Sequence, residues 1–423
     1  MSGLRRREFL VGSSLLMSGL HAGFAAEEKK QPVRLAFMGL KNRGLQLLSS
    51  FREFPQEEVE VVYLCDPDKD VIPPAIKALE EKGRKSPTVV TDFRKALDDK
   101  QVDALVCAAP DHWHALATIW ACQAGKDVYV EKPISHNLKE GEAMVAAARK
   151  YNRVVQAGMQ RRSGADLQEA AALIQKGELG KVSLAKCWIV GDRPNIGHEP
   201  VTPAPANLDF DLWCGPAPNK GYRKNLVHYQ WHWRWDYGTG ECGNNGIHAI
   251  DVARWGLGVN APKIVTSGGG KYHFDDDQET PDTQFATFDY EGCCIQWEHR
   301  TWTKKKMEGQ SFGVEFYGPE KTLLVDAKGW RLLEGEKEIR KHEGQSFEKP
   351  HQQNFLDCLR DRKRPNADIE IAHQSARLCH LANIAFRTRS VVEFDSGKGI
   401  LNNPAGTALT GREYRKGFEL PQI

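Results

Sequence analysis

Two short segments carry side chains suited to work on a hydroxylated substrate. Lys132, in Glu131-Lys132-Pro133, offers an ammonium group that can hold a hydroxyl oxygen and polarise its C–O bond. His248 has an imidazole that titrates near neutrality and can take the hydroxyl proton. Asn244 stands one helical turn before His248 and is placed to face the same cleft. Its amide can hydrogen-bond a hydroxyl but cannot act as a carboxylate base. Taken singly, a lysine before proline is usually surface decoration, and a helical histidine usually a core or cap residue. Their meaning rests on the elements that position them.

From Val33 to about Gly158, short apolar runs alternate with helical patterns. Val33–Met38, Val59–Cys65, Thr88–Val90, Ala104–Ala108, Val128–Val130 and Val154–Ala157 read as strands. Helices are expected over Gly44–Phe54, Val71–Lys82, Phe93–Asp98, Ala115–Ala124 and Leu138–Tyr151. This alternation implies a parallel sheet covered on both faces. Lys132 then sits at the carboxyl end of a strand, the edge at which doubly wound sheets bind ligands.

Gly39-Leu40-Lys41-Asn42-Arg43-Gly44 follows the first strand and opens the first helix. It departs from G-x-G-x-x-G at the second glycine, where Lys41 stands. Gly39 still supplies the tight turn, and Gly44 allows close helix–strand packing. The helix N-terminus offers free N–H groups to a phosphate, and Asn42 and Arg43 can add side-chain contacts. Asp66 ends the second strand, 27 residues beyond Gly39. A carboxylate there accepts bonds from ribose hydroxyls and repels a 2′-phosphate, which points to NAD rather than NADP.

After about Leu179 the texture changes to longer runs of alternating character: Val182–Val190, Ile264–His273, Thr283–Tyr290, Cys294–Thr301 and Phe312–Tyr317. Helical stretches at Phe355–Arg360 and Ile371–Arg387 follow. The expected fold is α/β, with a Rossmann doubly wound parallel sheet over 33–158. A C-terminal α+β domain over 159–423 carries a large mixed, mainly antiparallel sheet for substrate binding and oligomerisation.

Composition narrows the class. The 423 residues suit two domains, and a net charge of +2 gives no bulk attraction to nucleic acid. Ten cysteines lack metal-ligand spacing, so no metal site is expected. Residues 1–26 combine Arg5-Arg6-Arg7-Glu8-Phe9-Leu10 with a mildly apolar, small-residue stretch too short and polar for a stable span. Paired arginines ahead of Phe-Leu read as a twin-arginine export signal, with cleavage expected after Ala25 and a periplasmic or otherwise exported, membrane-free mature protein.

With Pro110-Asp111-His112-Trp113-His114 and Glu131-Lys132-Pro133 in place, the chain resembles the Gfo/Idh/MocA oxidoreductases from Val33 to about Arg389. Gly243 to Trp255 resembles that family's second catalytic segment, usually Asp-x-x-x-His. Here Asn244 takes the aspartate position and His248 is retained. The resemblance implies that Pro110 through His114 line the nicotinamide side, although His112 and His114 also suit helix capping. Glu131, Lys132 and Gln160 complete the expected cofactor set, with Gln160 contacting the nicotinamide. Arg161 fits a cleft position beside Gln160. Tyr229, Trp231 and Trp235, in an aromatic segment, suit the C–H faces and hydroxyls of a carbohydrate, with core packing or a subunit contact as the alternative.

The activity implied is hydride transfer from a sugar, polyol or glycoside to NAD. The twin-arginine route carries folded proteins, so the cofactor can be loaded before export and kept. Two other readings stand beside it: glycoside cleavage through transient oxidation with no net redox, and non-catalytic NAD-dependent sugar binding. A homodimer or homotetramer is expected, as in family members.

Overall fold

Short apolar strands that must be buried on both faces build the first half of the protein. The computed structural model describes residues 31–423, and the export signal expected over 1–26 lies outside them. Strands β1 (Val33–Met38), β2 (Val59–Cys65), β3 (Thr88–Val90), β4 (Ala104–Cys107), β5 (Asp127–Val130) and β6 (Val155–Ala157) form one parallel sheet in the order β3-β2-β1-β4-β5-β6. The order reverses between β1 and β4, and a crevice opens at their carboxyl ends.

Helices α1 (Arg43–Phe51), α2 (Ile72–Glu80), α3 (Arg94–Leu97), α4 (Asp111–Gln123) and α5 (Leu138–Lys150) make the crossovers. Helix α4 begins four residues earlier than the sequence pattern predicts, so Asp111 to His114 form its first turn rather than a loop. Pro110 precedes that turn in extended conformation, compatible with its fixed φ.

The second half follows α6 (Ala165–Gln175). Strands β7 (Leu184–Val190), β8 (Ile264–Gly270), β9 (Thr283–Tyr290), β10 (Cys293–Arg300), β11 (Phe312–Tyr317), β12 (Lys321–Asp326), β13 (Gly329–Glu334), β14 (Lys337–Glu343), β15 (Val392–Asp395) and β16 (Gly399–Ile400) form a ten-stranded sheet. Its pairings are antiparallel except β7 with β10. Alternation sends Ala185, Cys187, Ile295, Trp297, Val314 and Phe316 into the core.

The short helix α7 (Phe210–Cys214) lies in the long excursion after β7, and α8 (Ile247–Leu257) packs on the inner face of the sheet. Helices α9 (Glu348–Asp361), α10 (Ile369–Thr388) and α11 (Pro404–Ala408) follow β14, with β15 and β16 between the last two. Helix α9 returns to the first half: Phe355 and Leu356 join the core under β1 and β5, and the Phe355 ring lies 5.7 Å from that of Tyr129. Residues Pro32–Ile423 thus form one compact unit.

Candidate active site

The loop after β1 brings backbone closest to the crevice. Gly39 has φ +82°, and a Cβ there would lie 2.7 Å from the Ala108 and Ala109 backbone. At Gly44 a Cβ would sit 1.8 Å from the Gly39 carbonyl oxygen, so both retained glycines are sterically required. Helix α1 starts at the crevice with no side-chain cap; Asn42 precedes it at φ 47°.

Asp66 is buried at the end of β2. One carboxylate oxygen accepts the Leu40 N–H at 2.8 Å, the other that of Asp68 at 2.9 Å. Burial pushes its pKa up to about 6, against the two backbone donors. A cavity of about 390 Å³ runs from Gly39 and Asp66 past Pro110 and Asp111 to Lys132.

Lys132 closes the far end. Its Nζ donates to the Asn244 carbonyl oxygen at 2.6 Å and to Asn244 Oδ1 at 3.2 Å. Asn244 lies in a π-helical turn, Cys242–Gly246, just before α8; such turns recur at functional sites. On its other side the amide nitrogen faces Glu241 at 3.5 Å. Glu241 is buried, accepts from Asn245 Nδ2 at 2.8 Å, and pairs with Arg193 at 2.7 Å. A polar chain therefore runs Lys132–Asn244–Glu241–Arg193. Glu241 was not among the residues expected from the sequence, because nothing in Gly240-Glu241-Cys242 signals these distant partners.

Glu131, next to the lysine, is buried and accepts from Arg43 Nε at 2.7 Å and from the Lys132 N–H at 3.1 Å. Burial raises its pKa, but Arg43 and Lys132 outweigh that and hold it below the usual glutamate value. Arg43 also reaches Glu348 at 2.9 Å, so part of its fork is committed to ion pairs while the side chain lines the cleft. Gln160 lines the cleft too, and its buried Oε1 has no partner among the described residues. That orphaned acceptor suits the amide N–H of a nicotinamide. Together with the glycine cradle and Asp66, it makes the cleft a fit for a nicotinamide dinucleotide.

The remaining expected residues divide. Pro110, Asp111, Trp113, His114, Tyr229 and Trp231 line the cleft. Asp111 accepts from Thr239 Oγ1 at 2.8 Å, and burial pushes it up to about 7. His114 touches the Pro133 and Ala109 carbonyls, both at 2.7 Å. His112 does not reach the cleft: its ring nitrogens contact the Trp213 and Tyr237 carbonyls at 2.9 and 3.3 Å, which makes it a tether between α4 and the second half. Trp235 also lies elsewhere, under the Arg387 guanidinium at 4.9 Å.

His248 and Arg161 line a neighbouring recess rather than the main cleft, and Asn245 lines both. Burial, with Lys132, Arg161 and Arg43 nearby, pushes His248 well below the ordinary imidazole value and keeps it neutral.

Two family models match this chain. Residues 33–159 match the Gfo/Idh/MocA "oxidoreductase family, NAD-binding Rossmann fold", and residues 188–305 match the family's "C-terminal alpha/beta domain". The chain belongs to the Gfo/Idh/MocA oxidoreductase family. Among curated relatives, an uncharacterized oxidoreductase of Bacillus subtilis (strain 168) is 30% identical over 180 residues, covering 43% of this chain and 42% of the relative. A glycosyl hydrolase family 109 protein of Shewanella sp. (strain W3-18-1) is 27% identical over 166 residues, 33% of this chain and 36% of the relative. The chain thus spans less than half the length of these curated relatives.

Solved structures share the Gfo/Idh/MocA architecture over far more of the chain. Aldose-aldose oxidoreductase from Caulobacter crescentus, complexed with glycerol, superposes with a TM-score of 0.67 at 18% identity, covering 86% of this chain and all of that one. Levoglucosan dehydrogenase, with NADH and levoglucosan, gives 0.67 at 15% identity, covering 86% and 99%. These likenesses establish the fold.

Proposed function

We propose that this protein oxidises a hydroxyl of a sugar, polyol or glycoside, with tightly held NAD as the hydride acceptor. The observation that carries the reading is the Lys132–Asn244 couple, set in the same cleft as the Gly39 cradle and Asp66. Lys132 holds the substrate oxygen and polarises its C–O bond. Asn244 fixes the lysine, and Glu241 fixes Asn244, so the ammonium is preorganised before substrate arrives. Neutral His248, across Asn245 in the adjoining recess, receives the hydroxyl proton only from a substrate that spans both cavities. Gln160 and Asp66 hold the two ends of the dinucleotide, and the Asp66 charge favours NAD over NADP.

Export by the twin-arginine route belongs to the same proposal. So does a homodimer or homotetramer built on the outer face of the ten-stranded sheet, where Ile264 and Phe285 stand exposed on paired strands. Similarity to glycosyl hydrolase family 109 proteins favours a second reading, glycoside cleavage with no net redox.

The test incubates purified protein with a panel of glycosides without added NAD and analyses the products. A keto-sugar supports oxidation, and free aglycone supports cleavage. Lys132→Ala should lower turnover by about a thousand-fold or more while leaving bound cofactor unchanged. Wild-type turnover in that variant would remove Lys132 from the chemistry.

A further inference from the structure

Beside the cofactor cleft lies a second cavity of about 380 Å³ that shares Asn245 with it. Arg161, after β6, contributes the cation of interest. The guanidinium carbon stands 4.0 Å from the centroid of the Phe312 ring and 5.4 Å from that of Phe347. Stacking of this kind fixes the plane of the fork. Among the described residues the Arg161 side chain makes no ion pair and no hydrogen bond. Asp166 acts on it only through space and does not line the cavity. Burial pushes Arg161 down to about 10, so it stays charged at neutral pH.

The neighbouring arginines differ. Arg193 is occupied by Glu241 at 2.7 Å and Tyr229 at 3.2 Å, and Arg162 by Asp251 at 2.7 Å. One oriented, half-buried cation is left without a side-chain partner, in the same recess as His248. Such a charge gains when an anion meets it. A planar fork suits a planar, bidentate acceptor. Glu241, paired with Arg193, also lines the recess, so a doubly charged phosphate meets more repulsion there than a singly charged carboxylate.

We propose that this recess receives a carboxylate carried by the substrate, so that the preferred substrates are hexuronic acids and their glycosides. The substrate then bridges the cavities, with the reacting hydroxyl at Lys132 and the carboxylate at Arg161. This rests on the oxidoreductase reading only for what happens at Lys132, since binding needs no turnover.

Titration calorimetry of the protein as purified tests it. The probes are methyl glucuronide, galacturonide and mannuronide, each against its neutral methyl hexoside and the 6-phosphate. At least one uronide should bind about ten-fold or more tighter than its neutral counterpart and its phosphate. In Arg161→Met that ratio should fall to about one, and Arg161→Lys, with charge but no fork, should lie between. Retained cofactor confirms that each variant is folded. No uronide preference, an equal preference for the phosphate, or a preference surviving in Arg161→Met overturns the proposal. Uronide selectivity without turnover would sink the redox reading alone, and turnover of neutral glycosides without selectivity would sink this one alone.

Discussion

At Asp66, one carboxylate governs both cofactor choice and a pH dependence. Its two oxygens each accept a backbone N–H, and each keeps a lone pair for a ribose hydroxyl. Asp66→Asn removes the charge and turns one acceptor into a donor. NAD affinity should fall about ten-fold, and the preference over NADP should shrink, as read by titrating cofactor-free protein with each dinucleotide. An unaltered preference would place the ribose elsewhere. The same carboxyl titrates at about 6 in the folded chain against 3.8 for an unperturbed aspartate, because burial disfavours its charge. The folded state therefore binds more protons than the unfolded state between those values. The stabilisation is complete below pH 3.8 and is lost as pH rises through about 6, a decline of about 3 kcal/mol for this group. Urea unfolding of cofactor-free protein from pH 4 to 8 should show a shallower decline in Asp66→Asn than in the parent. Equal slopes would mean that Asp66 is not desolvated as the geometry requires.

Among the elements, β5 does most to place the chemistry, because its end carries Glu131 and Lys132 together. Glu131 ties β5 to α1 through Arg43, and Arg43 ties both to α9 through Glu348. Glu131→Gln leaves the partly exposed Arg43 guanidinium with half its counter-charge. It should cost about 1–2 kcal/mol in denaturant melts and lower kcat by shifting the Lys132 backbone. Parent-like stability would show that Glu348 alone satisfies Arg43. Strands β1, β2 and β5 were legible in the sequence because each apolar run stops at a residue that serves the cleft, namely Gly39, Asp66 and Glu131. Strand β14, Lys337–Glu343, was not, since an exposed, charge-dense edge strand has no apolar period to read. The π-turn at Asn244 escaped for a different reason. Its partner is Lys132, 112 residues away, and no local spacing encodes that contact. The expectation that Asn244 and His248 share one cleft failed with it: one helical turn of spacing leaves them on either side of Asn245. In the aromatic segment Gln230–Trp233 forms a 3-10 turn, with Tyr229 and Trp231 on the cleft and Trp235 away from it.

Across the whole molecule, the excursion between β7 and α8 crosses back onto the cofactor domain and closes over the adenosine end of the cleft. The Lys69 N–H donates to the Asn207 carbonyl at 3.0 Å, and the Asp209 N–H donates to that of Pro67 at 2.9 Å. His228 Nε2 meets Asp68 at 2.6 Å, and Trp213 and Tyr229 add walls to the same cavity. A dinucleotide seated under this segment leaves only if the segment lifts, which several hydrogen bonds and an aromatic cluster oppose together. Under the proposed export that arrangement would matter, because cofactor lost outside the cytoplasm is not replaced. The purified protein should therefore release NAD or NADH on denaturation but not on dialysis. His228→Ala removes the side-chain latch from Asp68 and leaves Lys132 untouched, while Asp66 loses a neighbour that acts on it through space. It should speed cofactor loss on dialysis by about ten-fold, the equivalent of one charge-assisted hydrogen bond. Turnover in freshly loaded His228→Ala should then decay with time and recover on adding NAD. Loss at the parent's rate would show that the latch lies elsewhere in the segment. Protein that carries no dinucleotide at all would show that the cofactor exchanges freely at each cycle.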